Sequence, residues 1–315
     1  MKLSQLRHLV AAAEAGTIRQ AAKNVHLSQS SLTKSIQLLE EYLGTELLHR
    51  ASHGVTPTAA GEALIARART IEGELRQARN DLDDICGAGS GEIRVSASPT
   101  VATALLPKAI VDFRRERPKV GFLVEEGVYP DVLAAVRLGG IDFAICLVPD
   151  RPKDEELHFE WLLKDHLVPA VRTGHPLARR GRLTLADLTK AELDWVIYRR
   201  GGGGHDVFEK TFLDSGLTPP KGLLHCTSFA CAMALVEMSD AVTFVPAELF
   251  AERNARASIV PLAMDSVMSA WNVAVISRAK HRLSPLCLAF LQQLHLSAAK
   301  MRGPGAASGR RGDPV

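Results

Sequence analysis

Apolar residues at the start of the chain recur at helical intervals. Leu3, Leu6, Leu9 and Val10 share one helix face and lead into a run of alanines. Gly16 ends that helix, and Thr17-Ile18-Arg19-Gln20 fits a capping box opening a second, short helix that stops near His26. Ala21 and Ala22 are small, as needed where two helices cross closely. Ser28 can cap a third helix whose apolar positions, Leu32, Ile36, Leu39 and Leu43, lie four, three and four residues apart. Short extended pieces around Ser52-His53-Gly54 then predict a small wing, which closes a unit over residues 1–57. Over 58–86 no proline interrupts the pattern. Leu64, Ala68, Ile71, Leu75, Ala78, Leu82 and Ile85 are separated alternately by four and three residues, the a/d seam of a coiled-coil pair. The alternative is a long amphipathic helix packed on its own domain. A helix of this length spans ~40 Å at ~1.5 Å per residue, which a small domain covers poorly. Gly87-Ala88-Gly89-Ser90-Gly91 predicts a hinge over 87–91.

Beyond the hinge the period changes. Glu92 to Ala97 alternates as a strand, a helix through Leu105, Leu106, Ile110 and Phe113 stops at Pro118, and Val120 to Val124 is again a strand. Val132 to Leu138 reads as helix and Ile141 to Val148 as a buried strand. The alternation resumes with strands at Leu167 to Val171, Trp195 to Tyr198, Leu223 to Cys226, Val242 to Val245 and Trp271 to Ile276. Helices fall at Val207 to Ser215, Phe229 to Met238 and Pro285 to His295. This β-α-β order predicts a mainly parallel sheet with helices on its faces, so the chain is α/β overall. Residues 301–315 are rich in Gly, Pro, Ser and Arg and predict a disordered tail.

Charge adds little. The net charge of the 315 residues is +3. Within 1–57, Lys2, Arg7, Arg19, Lys23, Lys34 and Arg50 face four acids, three of them late in the segment. A DNA-binding reading therefore rests on pattern. The polar face of the third helix carries Gln29, Ser30, Thr33, Lys34 and Gln37, groups that can read base edges in a major groove or meet a phosphate. Three helices with a tight turn before the last are helix-turn-helix organisation. An ordinary three-helix bundle with a solvated face fits the same pattern. Arg50 and His53 would flank bound DNA, or Arg50 could pair with a glutamate of its own domain.

From Leu3 to Gly61 the sequence resembles the DNA-binding domain of LysR-type transcriptional regulators. The matching words are "LRHLVAAAEAGTIRQAAKNVHLSQSSLTKSIQLLEEYLGTELLHR" and "GVTPTAAGEAL". Ser30 departs from the proline usual at the start of the recognition helix. The resemblance implies that Thr17, Ser28, Gln29, Ser30, Thr33, Lys34, Gln37, Arg50 and His53 face DNA. It also implies a dimer through the linker helix, a tetramer when effector domains pair, and contact with RNA polymerase. Over 92–300 the likeness lies in layout and short words (Gly-x-Ile-Arg-Val, Leu-Pro, Gly-x-Ile-Asp-Phe-Ala-Ile). It implies a fold like that of periplasmic solute-binding proteins, with one α/β subdomain of 92–163 plus 268–300, a second of 164–267, and a ligand cleft between them. "SASPTVATALLP", "YP", "SFACA" and "ERNA" are similar to regulators of aromatic-acid and aromatic-sulfonate breakdown, the toluenesulfonate type among them.

In such folds ligands sit beyond strand ends, near helix N-termini. Ser98 and Thr100 follow the first strand, and Thr227 and Ser228 precede the Phe229 helix, so all four could hold an anionic effector or simply cap helices. Arg199, ahead of a glycine run that includes Gly202, could clamp a carboxylate or belong to a surface loop. Tyr129 and Phe229 could wall an aromatic ring or pack in the core. No G-x-S-x-G, HExxH or clustered His/Cys/Asp set occurs, so no enzyme, metal site or cofactor is expected. A free small-molecule-binding protein or a DNA-packaging protein would each leave one half of the chain unexplained. The five cysteines form no CxxC pair and argue against a zinc site, while the spacing of Cys226 and Cys231 neither requires nor forbids their pairing. No apolar run approaches the ~20 residues of a membrane helix, and the amphipathic start is unlike a secretory signal, so a cytoplasmic location without membrane contact is expected.

Overall fold

The computed structural model describes residues 1–51, 54–85, 90–149, 152, 154–198, 203–250, 258–266 and 270–301. Helices α1 (Leu3–Ala15), α2 (Ile18–Asn24) and α3 (Gln29–Leu43) bury Leu6, Leu9, Ala21, Ala22, Leu32, Ile36 and Leu39 in one core. Leu43, the fourth residue of the predicted α3 stripe, stays exposed. Each fully buried leucine or isoleucine contributes roughly 1.5–3 kcal/mol. The capping box at Thr17 is half made. The Thr17 hydroxyl accepts from the Gln20 amide, but the Gln20 side chain turns to Asn24 instead of returning to the cap. The wing is β1 (Leu48–Ala51) paired antiparallel with β2 (Gly54–Pro57). Helix α4 (Ala59–Ile85) follows; Thr58 opens it by donating to the Glu46 carbonyl and accepting from the Gly61 amide. A Cβ on Gly61 would lie 2.0 Å from the Leu47 carbonyl oxygen, so only glycine lets the helix start this close to the wing.

The C-terminal part begins with β3 (Ser90–Ala97), α5 (Pro99–Thr103), α6 (Leu105–Glu116), β4 (Lys119–Glu126), α7 (Val132–Arg137) and β5 (Phe143–Val148). Strand β6 (Leu157–Arg172) leads to α8 (Leu185–Lys190), β7 (Trp195–Tyr198), α9 (Gly203–Asp214), β8 (Leu223–Cys226), α10 (Phe229–Met238), β9 (Val242–Pro246) and β10 (Ile259–Pro261). The chain returns through β11 (Ala270–Arg278) and α11 (Pro285–Met301). The strand order is β4-β3-β5-β11-β6-β9-β7-β8, with β10 on β6. This corrects the mainly parallel expectation. The outer pairs β3–β4, β3–β5, β7–β8 and β7–β9 are parallel, but every pair made by β6 or β11 is antiparallel. The reason is that these two long strands connect the halves, and they run against the strands they join. Strand β6 exchanges β11 for β9 between His166 and Leu167 without breaking. Separate cores lie on each side, one around Phe113, Phe143 and Phe290 and one around Trp195, Phe208 and Phe212.

Helix α4 has two apolar faces with different fates. Ala68 and Ile65 are buried in the N-terminal core, so the predicted seam does not begin at Leu64 and Ala68. From Ile71 onward its members are open: Ile71, Leu75, Leu82 and Ile85 are 39, 40, 61 and 80 % exposed. The opposite face docks on the chain's own C-terminal part. A Cβ on Gly73 would lie 2.4 Å from the Gly139 carbonyl oxygen, so backbone meets backbone there. Asp142, buried, accepts from Arg76 at 2.8 Å, from the Gln77 amide at 2.5 Å and from the Arg94 N–H at 2.8 Å. Gln77 Oε1 accepts from the Ser284 amide, and Asn80 pairs with both backbone groups of Glu92. Glu74 meets Arg278 and His281. Two residues of the predicted hinge, Ser90 and Gly91, belong instead to β3, where Gly91 packs against Asn80 and Leu286; residues 87–89 lie outside the described residues.

Candidate DNA interface and effector cleft

The first site is the face of α3. Its N-terminus is capped by Ser28, whose Oγ accepts from the Ser31 amide at 3.1 Å and lies 3.0 Å from Ser30 Oγ and 2.7 Å from Ser31 Oγ. Serine in place of proline therefore adds a hydroxyl to a three-serine cluster, at the second position of the helix. Gln29, Ser30, Lys34 and Gln37 are exposed, and Thr33 is half-buried beside them. Thr17 stands exposed at the start of α2. His8 Nδ1, 2.7 Å from Ser35 Oγ, ties α1 to the flank of α3, and burial pushes the His8 pKa down. Arg50 takes the intradomain option: it pairs with Glu40 at 3.6 Å while remaining substantially exposed. The other Glu40 oxygen accepts from the Leu47 and Leu48 amides, so one carboxylate braces the wing against α3. Sequence reasoning missed Glu40, though its place in the quoted "LEEYLG" word was a signal. His53 lies outside the described residues.

The second site is a cleft where the two halves of the large sheet meet, with about 320 Å³ of empty space including its open mouth. Thr100, Leu105 and Leu163 line one side, and Asp165, Pro246 and Leu249 the other. Ser98 sits just before α5. Its amide is bound to the Ile145 carbonyl, but its buried hydroxyl has no hydrogen-bond partner among the described residues. Ser98 thus does not use its side chain as a cap. A lone buried hydroxyl costs roughly 1–3 kcal/mol, which a bound polar group would relieve. The helix that follows has only five residues and supplies little dipole, a correction to the helix-end argument for this position.

Of the expected effector residues that are described, only Thr100 lines this cleft; Ser98 lies two residues before it and is not part of the lining, and the others do not converge here. Thr227 and Ser228 are exposed, and the Ser228 hydroxyl is engaged as the α10 cap by the Cys231 amide. Phe229 packs edge-on against Tyr198 at 5.8 Å, and Tyr129 packs on the core beneath α7. Both aromatics take the packing option. Arg199 and Gly202 lie outside the described residues. Asp165 is the unforeseen member: a buried carboxylate in an otherwise apolar wall, with the His166 amide donating to it at 2.7 Å. Among the described residues no cluster of His, Cys, Asp or Glu could hold a metal, and no helix is long and apolar enough to cross a membrane.

Comparison with known proteins agrees with this geometry. Residues 3–62 match the family described as bacterial regulatory helix-turn-helix protein, lysR family, and residues 87–298 match the LysR substrate binding domain. The chain is 33% identical over 247 residues to the HTH-type transcriptional regulator GbpR of Azospirillum brasilense, covering 77% of this chain and 71% of that one. It is 31% identical over 290 residues to the SDS degradation transcriptional activation protein of a Pseudomonas species, covering 90% and 92%. The crystal structure of CbnR, a LysR family transcriptional regulator, superposes with a TM-score of 0.71 at 23% identity, covering 95% of this chain and 99% of that one.

Proposed function

Since the chain belongs to the LysR family of bacterial transcriptional regulators, we propose that it binds promoter DNA sequence-specifically as an oligomer and answers to a small effector between the halves of its C-terminal sheet. It is a regulator and not an enzyme, as its named relatives are regulators. The capped, polar, exposed face of α3 carries the DNA reading. Gln29, Ser30, Thr33 and Gln37 read base edges, Lys34, Thr17 and Ser28 meet the backbone, and Arg50 follows from β1 of the wing. The apolar stripe from Ile71 to Ile85 pairs with a second copy, which supplies the two-fold symmetry of paired half-sites. Pairing of C-terminal parts then builds a tetramer, which contacts RNA polymerase in the cytoplasm.

The effector is a small aromatic acid. Its acid group satisfies the Ser98 hydroxyl and Thr100. Its ring lies on Leu105, Leu163 and Leu249, and Asp165 accepts from a hydroxyl at the far end, so a hydroxylated acid fits best. Because β6 runs through both halves, occupation changes their mutual angle, and the docked face of α4 passes the change to the DNA-binding unit. A tenfold change in operator affinity needs only about 1.4 kcal/mol of differential binding. The test is thermal shift of wild type and Ser98→Ala against a panel of aromatic acids, hydroxylated and plain. Stabilisation by an acid that Ser98→Ala abolishes supports the assignment. Undiminished stabilisation in the variant moves the site elsewhere, and stabilisation by neutral or cationic compounds alone overturns the anionic reading.

A further inference from the structure

One feature of the second half of the sheet belongs neither to the DNA face nor to the cleft. Strand β8 ends at Cys226, and the first turn of α10 carries Cys231. The two sulfur atoms are 3.7 Å apart, with the Cys226 thiol donating to the Cys231 sulfur. Cys226 is half-buried and Cys231 exposed. Both are free thiols, and the turn between them holds only Thr227 and Ser228 before the helix begins at Phe229. Burial, and then the neighbouring Cys231, push the Cys226 thiol up, and Cys146 and Cys287 differ most from the exposed Cys231. Those two are fully buried, and burial pushes their thiols up to about 12, which leaves almost no thiolate at neutral pH.

We propose that Cys226 and Cys231 form a reversible intramolecular disulfide when the protein meets a hydroperoxide. The geometry assigns the roles. Cys231 is the sulfur open to solvent, and it receives rather than gives the hydrogen bond between the pair. Its thiolate attacks the distal peroxide oxygen, the O–O bond breaks, and the hydroxide or alkoxide that leaves takes up a proton. Cys231 is then a sulfenic acid. Cys226, already in contact, loses its proton and attacks the Cys231 sulfur, and the sulfenic oxygen departs as water. In sum two thiols and one hydroperoxide give one disulfide, one water and one water or alcohol; sulfur is oxidised and peroxide reduced. A thiol reductant reverses the bond by exchange.

Closing the gap moves the sulfurs together by about 1.7 Å, to the ~2.0 Å of a disulfide. The movement falls on the edge strand of the sheet and on a turn whose residues are exposed, where packing resists least. The bond would fix the Thr227-Ser228 turn and the start of α10 to the end of β8. The inference is independent of the effector reading, because neither cysteine lines the cleft.

Trypsin makes the site accessible to one measurement, since Lys221 and Arg253 bound a single peptide that contains both cysteines. The full chain is treated with hydrogen peroxide, its remaining thiols are blocked with an alkylating agent under denaturing conditions, and the peptide is weighed. The expected product is the peptide lighter by two hydrogens and free of label, with both labels restored by dithiothreitol. Cys146 and Cys287 should keep their labels, reacting at least about tenfold more slowly. In Cys226→Ser the reaction should stop at Cys231, and dimedone should trap its sulfenic acid; in Cys231→Ser, Cys226 should stay reduced. A wild-type peptide that keeps both labels overturns the proposal, as does oxidation of Cys287 at an equal rate or a dimedone adduct confined to Cys226.

Discussion

Single side chains decide what α3 can do. Lys34→Ala removes one charge from an exposed face, so it should weaken DNA binding at all sequences and lower the salt slope by about one. Gln29→Ala should instead relax base preference, costing about 1–3 kcal/mol at the preferred base. Affinity measured against salt on specific and scrambled duplexes separates the two, and identical behaviour of both variants would remove α3 from the groove. A second residue-scale expectation concerns pH. Burial lowers the pKa of His175, whose Nδ1 accepts from the Leu177 amide and must be neutral to do so, and burial acts likewise on His8. The unfolded chain takes up these protons first, near the usual histidine pKa of about 6.5. Stability should therefore be full above that pH and fall as pH drops through it toward the depressed folded values. His175→Asn, which keeps an acceptor without titrating, should flatten that fall in urea midpoints measured from roughly pH 7 to 5. At this scale sequence reading was weakest. It named Ser98 but not that its hydroxyl has no hydrogen-bond partner among the described residues, and it offered Arg50 two roles without knowing that Glu40 stands beside it. Both facts depend on neighbours brought close by folding.

At the scale of elements the pattern was far more legible. Helices α1 to α4 follow from apolar spacing and caps, because each buries one stripe against a core. Strand β6 shows where the method runs out. Its second part was recognisable from Leu167 to Val171, but Leu157 to His166 was not. The pairing with β11 slips between Val273 and Ala274, so Leu162 and Leu163 are consecutive buried residues and the period-two alternation changes phase. Helix α4 was read correctly as long and wrongly as one uniform seam, since its two apolar faces serve different partners. The exposed face gives a sharp test. Leu75→Glu and Leu82→Glu place a charge on the unpartnered stripe while sparing the docked face of Gly73, Gln77 and Asn80. Each should yield a smaller species in sedimentation at unchanged helix content. Unchanged mass would mean that the stripe is not an interface.

The whole molecule is bound together by contacts that no local pattern announces. Asp142 lies in a short word shared with the family, and its role emerges only with the fold: it receives Arg76 and Gln77 from α4 and the backbone of β3 at once. Removing one partner of such a buried pair costs roughly 3–5 kcal/mol, so the long helix behaves as part of the C-terminal body and not as a free tether. The two ends of the account, groove reading by α3 and pairing through α4, meet in the sequence that the protein selects. The most direct measurement is therefore enrichment of duplexes from a random DNA pool by the full-length chain. The expected product is two inverted half-sites with centres separated by whole helical turns of about 10 base pairs, lost with Leu75→Glu and altered in base preference by Gln29→Ala. Enrichment of no sequence, or of the same sequence by wild type and Gln29→Ala, would contradict it.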